Sequence, residues 1–257
     1  MKQKICDYTG FDYKSVYWEQ ADRRYEDLCD RHSLSALLRK IPTPPEHILD
    51  AGCGFGRLFD VYSGYGKTFF LLDYALNLLE QFKKDQNNHT FGLKKVALLN
   101  GNFYEIPIGP SKLELVISVR TLHHIDDPNA FFKEVNRILK LHSYFILEIP
   151  NKRHLLQIWR FLTRKTKENP FSKKPLYLND TFINYDPGYI FELLKRNGLT
   201  PIRHLNTSFF RIGFLKRFFS PATLAKLDRL FQICFSFLNL APSIYVLCEN
   251  RGIAQSN

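Results

Sequence analysis

The stretch Asp50-Ala51-Gly52-Cys53-Gly54-Phe55-Gly56 decides the fold. It follows Glu46-His47-Ile48-Leu49, which reads as a short buried strand, and it precedes a segment from Arg57 that reads as a short helix. Glycines between a strand and a helix let the main chain turn tightly and approach a ligand without a Cβ in the way. The spacing is GxGxG, with Arg57 where the dinucleotide fingerprint GxGxxG has its third glycine. Two acids accompany the loop. Asp50 stands two residues before the first glycine, and Asp73 closes the next apolar run, Thr68-Phe69-Phe70-Leu71-Leu72. An acid at that second place can accept hydrogen bonds from both hydroxyls of a ribose.

Outward from the loop, strand and helix signals alternate. Ala75, Leu78, Leu79 and Phe82 stand at i, i+3, i+4 and i+7 and predict a helix. Further strands are predicted around 96–100, 113–118 and 144–149. Asp127-Pro128 offers an N-cap and an N1 proline to a helix whose inner face is Phe131, Val135 and Ile138. Five strands alternating with helices predict an α/β fold with a parallel sheet. On the N-terminal side, residues 15–40 read as one helix, ended by Pro42, Pro44 and Pro45. Beyond Pro150 come a predicted helix over 151–163, a loop to about 185, a helix over 187–197 closed by Gly198, and a strand over 201–205. Ser220-Pro221 starts a helix with an expected face of Leu224, Leu227, Phe231, Cys234, Phe235 and Leu238, and 243–248 is the last strand.

Composition narrows the class. The 257 residues are 45% apolar and 24% charged, which excludes a disordered chain, a collagen and a coiled coil. No stretch approaches the ~20 apolar residues of a membrane-spanning helix. Residues 1–7 show no apolar core of a secretory leader. The five cysteines (Cys6, Cys29, Cys53, Cys234 and Cys248) are odd in number, widely spaced and free of any CxxC pair. Neither a disulfide framework nor a metal site is expected, and a reducing, cytoplasmic compartment is.

The net charge is +11, and residues 151–174 hold eight basic side chains against the one acid Glu168. Such a run suits nucleic acid, anionic lipid, an anionic substrate or an ordinary solvated face. Residues 209–240 hold eight of the 23 phenylalanines, interleaved with Arg211, Lys216, Arg217, Lys226 and Arg229. That segment reads as a helical lid with an aromatic core, or as a basic amphipathic surface for membrane.

These residues resemble a known family. Ile48–Leu58 is similar to motif I of the class I S-adenosylmethionine-dependent methyltransferases, and the similarity continues through Leu71-Leu72-Asp73-Tyr74, Leu113–Ser118, Leu122-His123-His124-Ile125, Asp127-Pro128, Glu134–Arg137 and Leu139-Lys140. It spans roughly residues 46–150. The resemblance implies a Rossmann-like α/β fold: a seven-stranded, mostly parallel sheet with its last strand antiparallel, helices on both faces and a helical cap. It implies one domain over 1–257, with an N-terminal cap 1–41, a cofactor-binding core 42–150 and a second half 151–257 carrying cap insertions 151–185 and 207–242.

The resemblance further implies roles. Gly52, Cys53, Gly54 and Gly56 would hold the methionine part of S-adenosylmethionine by main chain, with Asp50 steadying the loop and reaching the cofactor amine through water. Asp73 would take the ribose hydroxyls, Tyr74 would pack on the adenine, and Asn102 and Phe103 would hold its edge and face. Ser118, Val119 and Arg120 would line the pocket beside the methionine moiety. Asn102 stands where the family usually has Asp and would still accept from the adenine amine, without charge, and Leu141-His142-Ser143 replaces the usual Pro-Gly-Gly. A nicotinamide dehydrogenase is the main rival for the cofactor, disfavoured by Arg57 and by the helical segment ahead of the first strand.

His123 and His124 follow the fourth strand, and the resemblance to small-molecule methyltransferases implies His124 as the candidate catalytic base, helped by an N-terminal tyrosine such as Tyr17 or Tyr25; the alternative is a loop in which both histidines only pack. Arg120 suits either an anionic group of the acceptor or a structural ion pair. The place after the fourth strand reads Ser118-Val119-Arg120-Thr121, without the Pro-Pro-aromatic or Pro-Cys motifs of nucleic-acid methyltransferases, so no nucleic acid partner is expected. The expected reaction is methyl transfer to a small-molecule or lipid-like acceptor on O, N or C, with peripheral contact to anionic membrane through the basic, Phe-rich cap. The alternative is a non-catalytic cofactor-binding protein that engages a partner through that surface. The first requires an open pocket beside the glycine loop, and the second a blocked one. The sequence leaves the oligomeric state open.

Overall fold

The computed structural model describes residues 10, 13–18, 23–87, 95–178 and 182–253. Helices α1 (Tyr13–Tyr17) and α2 (Arg24–Leu38) precede β1 (His47–Ala51). The glycine loop leads to α3 (Phe59–Tyr62), followed by β2 (Thr68–Asp73), α4 (Leu76–Asn87), β3 (Lys95–Asn100) and β4 (Leu113–Ser118). A 3-10 turn at Leu122–His124 precedes α5 (Pro128–Ile138) and β5 (Leu139–Pro150). Next come α6 (Leu155–Leu162), the two-residue strands β6 (Leu176–Tyr177) and β7 (Ile183–Asn184), α7 (Pro187–Arg196) and β8 (Leu199–Thr207). The described chain closes with α8 (Gly213–Phe218), α9 (Pro221–Phe235) and β9 (Ser243–Asn250).

Seven strands form one sheet in the order β3-β2-β1-β4-β5-β9-β8. The first five run parallel, and β9 is antiparallel to both of its neighbours. The order reverses between β1 and β4, and open α/β sheets bind ligands in the crevice at such a switch point. Each face of the sheet is covered. On one side Phe131 and Val135 of α5 and Ile190 and Leu194 of α7 pack on Leu49, Val116 and Leu147. On the other, Leu34 and Leu37 of α2, Phe59 of α3 and Phe82 of α4 pack on Ile48, Leu71 and Ile117. Burial on both faces explains why β1 and β4 read as continuous apolar runs and not as alternating ones. The expected Rossmann-like architecture is present.

Helix starts follow the local chemistry. The side chains of Asp127, Asp186 and Ser220 each accept from the backbone N–H three residues on, at 3.0, 2.9 and 3.1 Å, with a proline next in line. Gly198, at φ +74, closes α7 as expected.

Several local expectations need correction. The single helix over 15–40 is two helices, and residues 19–22 between them lie outside the described residues. The inner face of α9 is Leu224, Ala225, Asp228 and Gln232, while Leu227, Phe231, Cys234, Phe235 and Leu238 are exposed. Polar bonds orient this helix. Asp228 accepts from Tyr25 Oη and Thr207 Oγ1, both at 2.8 Å, and Gln232 donates to Ser33 Oγ at 3.0 Å. Tyr25 is therefore tied into a buried contact between α2 and α9 and does not cap the site. Nor is the basic run a uniform surface. Lys152 is buried and donates to Ser172 Oγ at 3.1 Å and to the carbonyl of Lys174.

Candidate functional site

The glycine loop leaves β1 at the C-terminal edge of the sheet. The N–H groups of Gly52 and Cys53 donate to the Leu72 carbonyl at 2.8 and 3.1 Å, pinning the loop to the end of β2. Gly52 and Gly56 sit at φ +84 and +73, a region that penalises side chains. A Cβ at Gly52 would run into the Thr121 side chain, and one at Gly56 into the Phe82 ring. These two positions are glycine for the packing of the loop as well as for its turn.

Asp73 binds the loop from the other side. Its Oδ2 accepts from the Gly54 N–H at 2.8 Å and its Oδ1 from the Ala75 N–H at 2.9 Å. Burial raises its carboxyl above the usual range, against the pull of those backbone donors. Asp50 is buried beneath the loop and accepts from Tyr62 Oη at 2.6 Å. Burial pushes its carboxyl to about 7, with the Tyr62 hydroxyl opposing and the charge of Asp73 adding to the rise. The Cys53 thiol is buried, and burial lifts it well above its usual range, so it is a packing group and not a nucleophile.

A small cavity of about 50 Å³ lies against the loop. It brings together Asp50, Gly52, Cys53, Gly54, Val119 and Arg120. Tyr13 and Trp18 close it from above, and the Trp18 ring stacks 3.6 Å from the Arg57 guanidinium. Gly56, Asp73, Tyr74, Asn102 and Phe103 are not in its wall. Asp73 and Tyr74 lie at the end of β2, and Asn102 and Phe103 just beyond β3, on the same edge of the sheet. Tyr74 is exposed, and Phe103 packs edge-on against Phe131 at 5.6 Å. The Asn102 side-chain oxygen accepts from the N–H groups of Tyr104 and Glu105 at 2.8 and 3.0 Å. Two backbone donors fix which way that amide points, so toward a base edge Asn102 offers its NH2 and not an acceptor. Ser118 is wholly buried and lines neither this cavity nor the larger one beside it.

Arg120, at φ +59, is held in a left-handed backbone conformation that aims its guanidinium back under the cap. It donates to both oxygens of Asp30, at 3.1 and 2.8 Å, and to Ser243 Oγ at 3.1 Å, and it faces Glu148 at 3.5 Å. Both readings of this residue thus meet at one place, because it is ion-paired and also lies in the wall of two cavities.

The second cavity holds about 860 Å³. It shares Tyr13, Trp18 and Arg120 with the glycine-loop cavity and runs out between α6, the segment after β8 and α9. Most of its wall is aromatic or aliphatic, including Trp159, Phe182, Phe210 and Phe231. His123 is in this wall and stacks on Phe182 at 5.0 Å. His124 lies behind it, 4.0 Å from the His123 ring, and is not in the wall. Burial pushes His123 well below the usual histidine range, with His124, Arg120 and Arg211 adding to the effect. His154, also in the wall, is held at about 4 by burial and by Arg211 and Arg160. Tyr17 reaches the wall as expected.

Sequence reasoning missed Tyr13, Trp18, Glu148 and His154, and it took Arg211 for part of a surface. None carries a local signal, since each is brought in by a segment remote from the glycine loop. Among the described residues no cluster of His, Cys, Asp and Glu could hold a metal ion.

Comparison with known proteins agrees with this geometry. Residues 49–147 match the family model of the methyltransferase domain. An uncharacterised protein of Methanocaldococcus jannaschii is 28% identical over 159 residues, covering 62% of this chain and 65% of its own. A malonyl-[acyl-carrier protein] O-methyltransferase of Bacteroides thetaiotaomicron is 30% identical over 130 residues, covering 50% of this chain and 48% of its own. The chain thus spans about half to two thirds of the length of these relatives. A methyltransferase of Haloferax volcanii, solved in complex with the Trm112 activator, shares the fold with a TM-score of 0.61 at 14% identity, over 93% of this chain and 97% of its own. A structure of a methyltransferase from Thermotoga maritima gives 0.57 at 15% identity, over 93% and 98%.

Proposed function

We propose, from the premise that residues 49–147 are a methyltransferase domain of the class I, S-adenosylmethionine-dependent kind, that this chain transfers a methyl group to a small-molecule acceptor with a large apolar body. The observation that carries the reading is the cavity of about 860 Å³ opening beside the glycine loop through Tyr13, Trp18 and Arg120. The non-catalytic alternative called for that space to be blocked.

Bound S-adenosylmethionine supplies a sulfonium methyl, an electrophile open to in-line displacement. The residues present fit such a group, because Gly52 and Gly54 offer bare main chain and the carboxylates of Asp50 and Asp73 flank them. In this reading Gly52, Cys53, Gly54 and Gly56 cradle the methionine part and Asp50 steadies the loop beneath it. Asp73 takes the ribose hydroxyls, Tyr74 and Phe103 the adenine faces, and Asn102 its edge as a donor. Val119 and Arg120 separate cofactor from acceptor. The space of about 50 Å³ at the loop is small, so admission of the methionine part displaces the segment of Tyr13 and Trp18. Where an acceptor carries a proton, His123 and His154 are the imidazoles that face the cavity, and His124, the residue expected as base, packs against the His123 ring.

The aromatic wall favours a lipid-like acceptor. Leu155 and Trp159 of α6 line the cavity, and α6, α8 and α9 leave Leu155, Trp159, Leu162, Phe214, Phe218 and Ile233 exposed, with Arg160, Arg164, Lys165 and Lys167 on α6 or in the segment that follows it. That pairing of apolar and basic side chains suits peripheral contact with an anionic membrane, from which such an acceptor would enter. The test is product identification. The protein is incubated with methyl-labelled S-adenosylmethionine and cell extract, and the labelled product is separated and identified by mass. Label recovered in an apolar small molecule is the expected result. No labelled product, together with tighter binding of NAD than of S-adenosylmethionine, would end the reading.

A further inference from the structure

We infer that Arg211, beside Arg120, forms a subsite for the carboxylate of a long-chain acid, and that this acid is the methyl acceptor; the inference rests on the methyl-transfer reading above. The two guanidinium groups converge on one neutral hydroxyl. Arg120 donates to Ser243 Oγ at 3.1 Å, and Arg211 donates to the same oxygen at 3.3 Å. Arg120 has Asp30 at 2.8 Å and Glu148 at 3.5 Å. Arg211 has no carboxylate within ion-pair distance among the described residues, and its buried Nε donates to nothing. Among the described residues Glu148 is the one acid in the cavity wall; it lies 3.5 Å from Arg120, its charge also reaches Arg211, and it makes no ion pair with Arg211.

A cation removed from water is costly unless it is paired and hydrogen-bonded. Burial draws the Arg211 guanidinium below the usual arginine range, and the charge of Arg120 acts in the same sense, while the carboxylates of Glu26, Asp30 and Glu148 oppose the shift from beyond ion-pair distance without cancelling it. An anion seated against Arg211 answers both, and a planar carboxylate matches the fork of a guanidinium. Arg211 lies in the wall of the large cavity, and Arg120 lies in both walls, so this anion sits at the end of the cavity nearest the glycine loop. The rest of the wall is largely apolar, with Trp159, Phe182, Phe210, Ile212 and Phe231 beside the single further cation Arg23 among the described residues, and it suits an alkyl chain.

The chemistry favours a carboxylate over an alcohol or an amine. Those acceptors must lose a proton, and the two imidazoles in the wall, His123 and His154, are weak bases there. A carboxylate arrives deprotonated. One of its oxygens forms the bond to the methyl carbon, the sulfur–methyl bond breaks with its electron pair left on sulfur, and no proton moves. The product is a neutral methyl ester, which no longer pairs with Arg211 and leaves more readily.

The test is binding of three probes of equal chain length to the full chain without cofactor, by calorimetry below their micelle concentrations: dodecanoate, dodecanol and dodecyl phosphate. Dodecanoate should bind at least tenfold more tightly than either of the others. Arg211→Gln should abolish that preference while leaving dodecanol binding and S-adenosylhomocysteine affinity within twofold, and Arg211→Lys should restore part of it. With S-adenosylmethionine added, dodecanoate should yield methyl dodecanoate by mass spectrometry. Equal binding of acid and alcohol, tighter binding of the phosphate, or a preference that survives Arg211→Gln would each overturn the subsite. The two readings fail separately. Cofactor binding without acid preference removes the subsite alone, whereas acid preference without cofactor binding removes the methyl-transfer reading and leaves a carboxylate site.

Discussion

Asp30 accepts a hydrogen bond from the Arg120 guanidinium at 2.8 Å across 90 residues of chain. The same carboxylate accepts from Arg57 at 2.9 Å and from Tyr245 Oη at 2.8 Å. One buried acid thus ties α2 to the glycine loop, to the turn after β4 and to β9. Burial alone would raise the Asp30 carboxyl, but Arg120 and Arg57 outweigh it and hold it at about 2.

Asp30→Asn should be strongly destabilising. It keeps the shape and removes the charge that two buried arginines face, and breaking such a pair from one side costs about 3–5 kcal/mol. Urea unfolding at neutral pH measures it. The folded pKa lies below the unfolded value of about 3.9, so this stabilisation is present above that pH and is lost as pH falls toward 2. The wild type should therefore lose stability on acidification more steeply than Asp30→Asn does. A loss under about 1 kcal/mol at pH 7 would mean that the network contributes orientation and not stability.

Asp73→Ala tests the ribose contact and the anchor of the loop together. Charge-assisted hydrogen bonds are worth roughly 1.5–3 kcal/mol, so S-adenosylmethionine affinity should fall about ten- to a hundredfold. Because Asp73 also accepts from the Gly54 and Ala75 N–H groups, the variant should show faster amide exchange at Gly54. Unchanged affinity by calorimetry would place the ribose contact elsewhere.

The Asp50 carboxyl, pushed to about 7 by burial, gives a pH signature. Its folded pKa lies above the unfolded value near 3.9, so between those limits the folded state holds the extra proton, and stability falls as pH rises through the window. Cofactor binding should show the opposite slope. The ammonium of S-adenosylmethionine favours the ionised form of Asp50, so affinity should rise several-fold from pH 6 to 7.5. Asp50→Asn should flatten both profiles. Parallel pH profiles of wild type and variant would remove Asp50 from any contact with the ammonium.

The glycine loop was legible because its information is local. Gly52 and Gly56 need positive φ, Asp50 and Asp73 end apolar runs, and the order of strand and helix follows from periodicities of a few residues. The acceptor side was not legible, for the opposite reason. Asp30 reads as a solvated helix residue, and only the fold brings Arg57 and Arg120 to it. Arg211 sits among phenylalanines that look like one basic amphipathic face, yet it turns into the cavity toward Ser243. On α9 the apolar spacing pointed to Phe231 and Phe235, while hydrogen bonds to Asp228 and Gln232 set the buried face. His123 and His124 are adjacent in sequence, and only the 3-10 turn at Leu122–His124 decides which of them meets the cavity.

That exposed apolar rim leads to the last expectation. Leu155 and Leu162 of α6 are 63% and 71% exposed, and Ile233 of α9 is 77% exposed, too much for a helix whose partner is its own core. Trp159 lies between Leu155 and Leu162 on α6, with the Lys165 ammonium 4.3 Å from its ring, a pairing of aromatic and base that suits the level of lipid headgroups. Each basic side chain near an anionic surface adds about 1 kcal/mol, and the attraction is screened beyond about 10 Å at 0.1 M salt. The protein should therefore co-sediment with phosphatidylserine-containing vesicles at low salt and dissociate as salt rises. A single substitution is a poor test because neighbouring cations substitute for one another. Changing Arg160, Arg164, Lys165 and Lys167 together to Gln should weaken vesicle binding at least tenfold. Leu155→Asp with Leu162→Asp should abolish it even at low salt, since the apolar anchor is then gone. Wild-type protein that stays in solution, or binding that ignores the fourfold change, would make the rim an ordinary solvated face and bring the acceptor to the cavity through water.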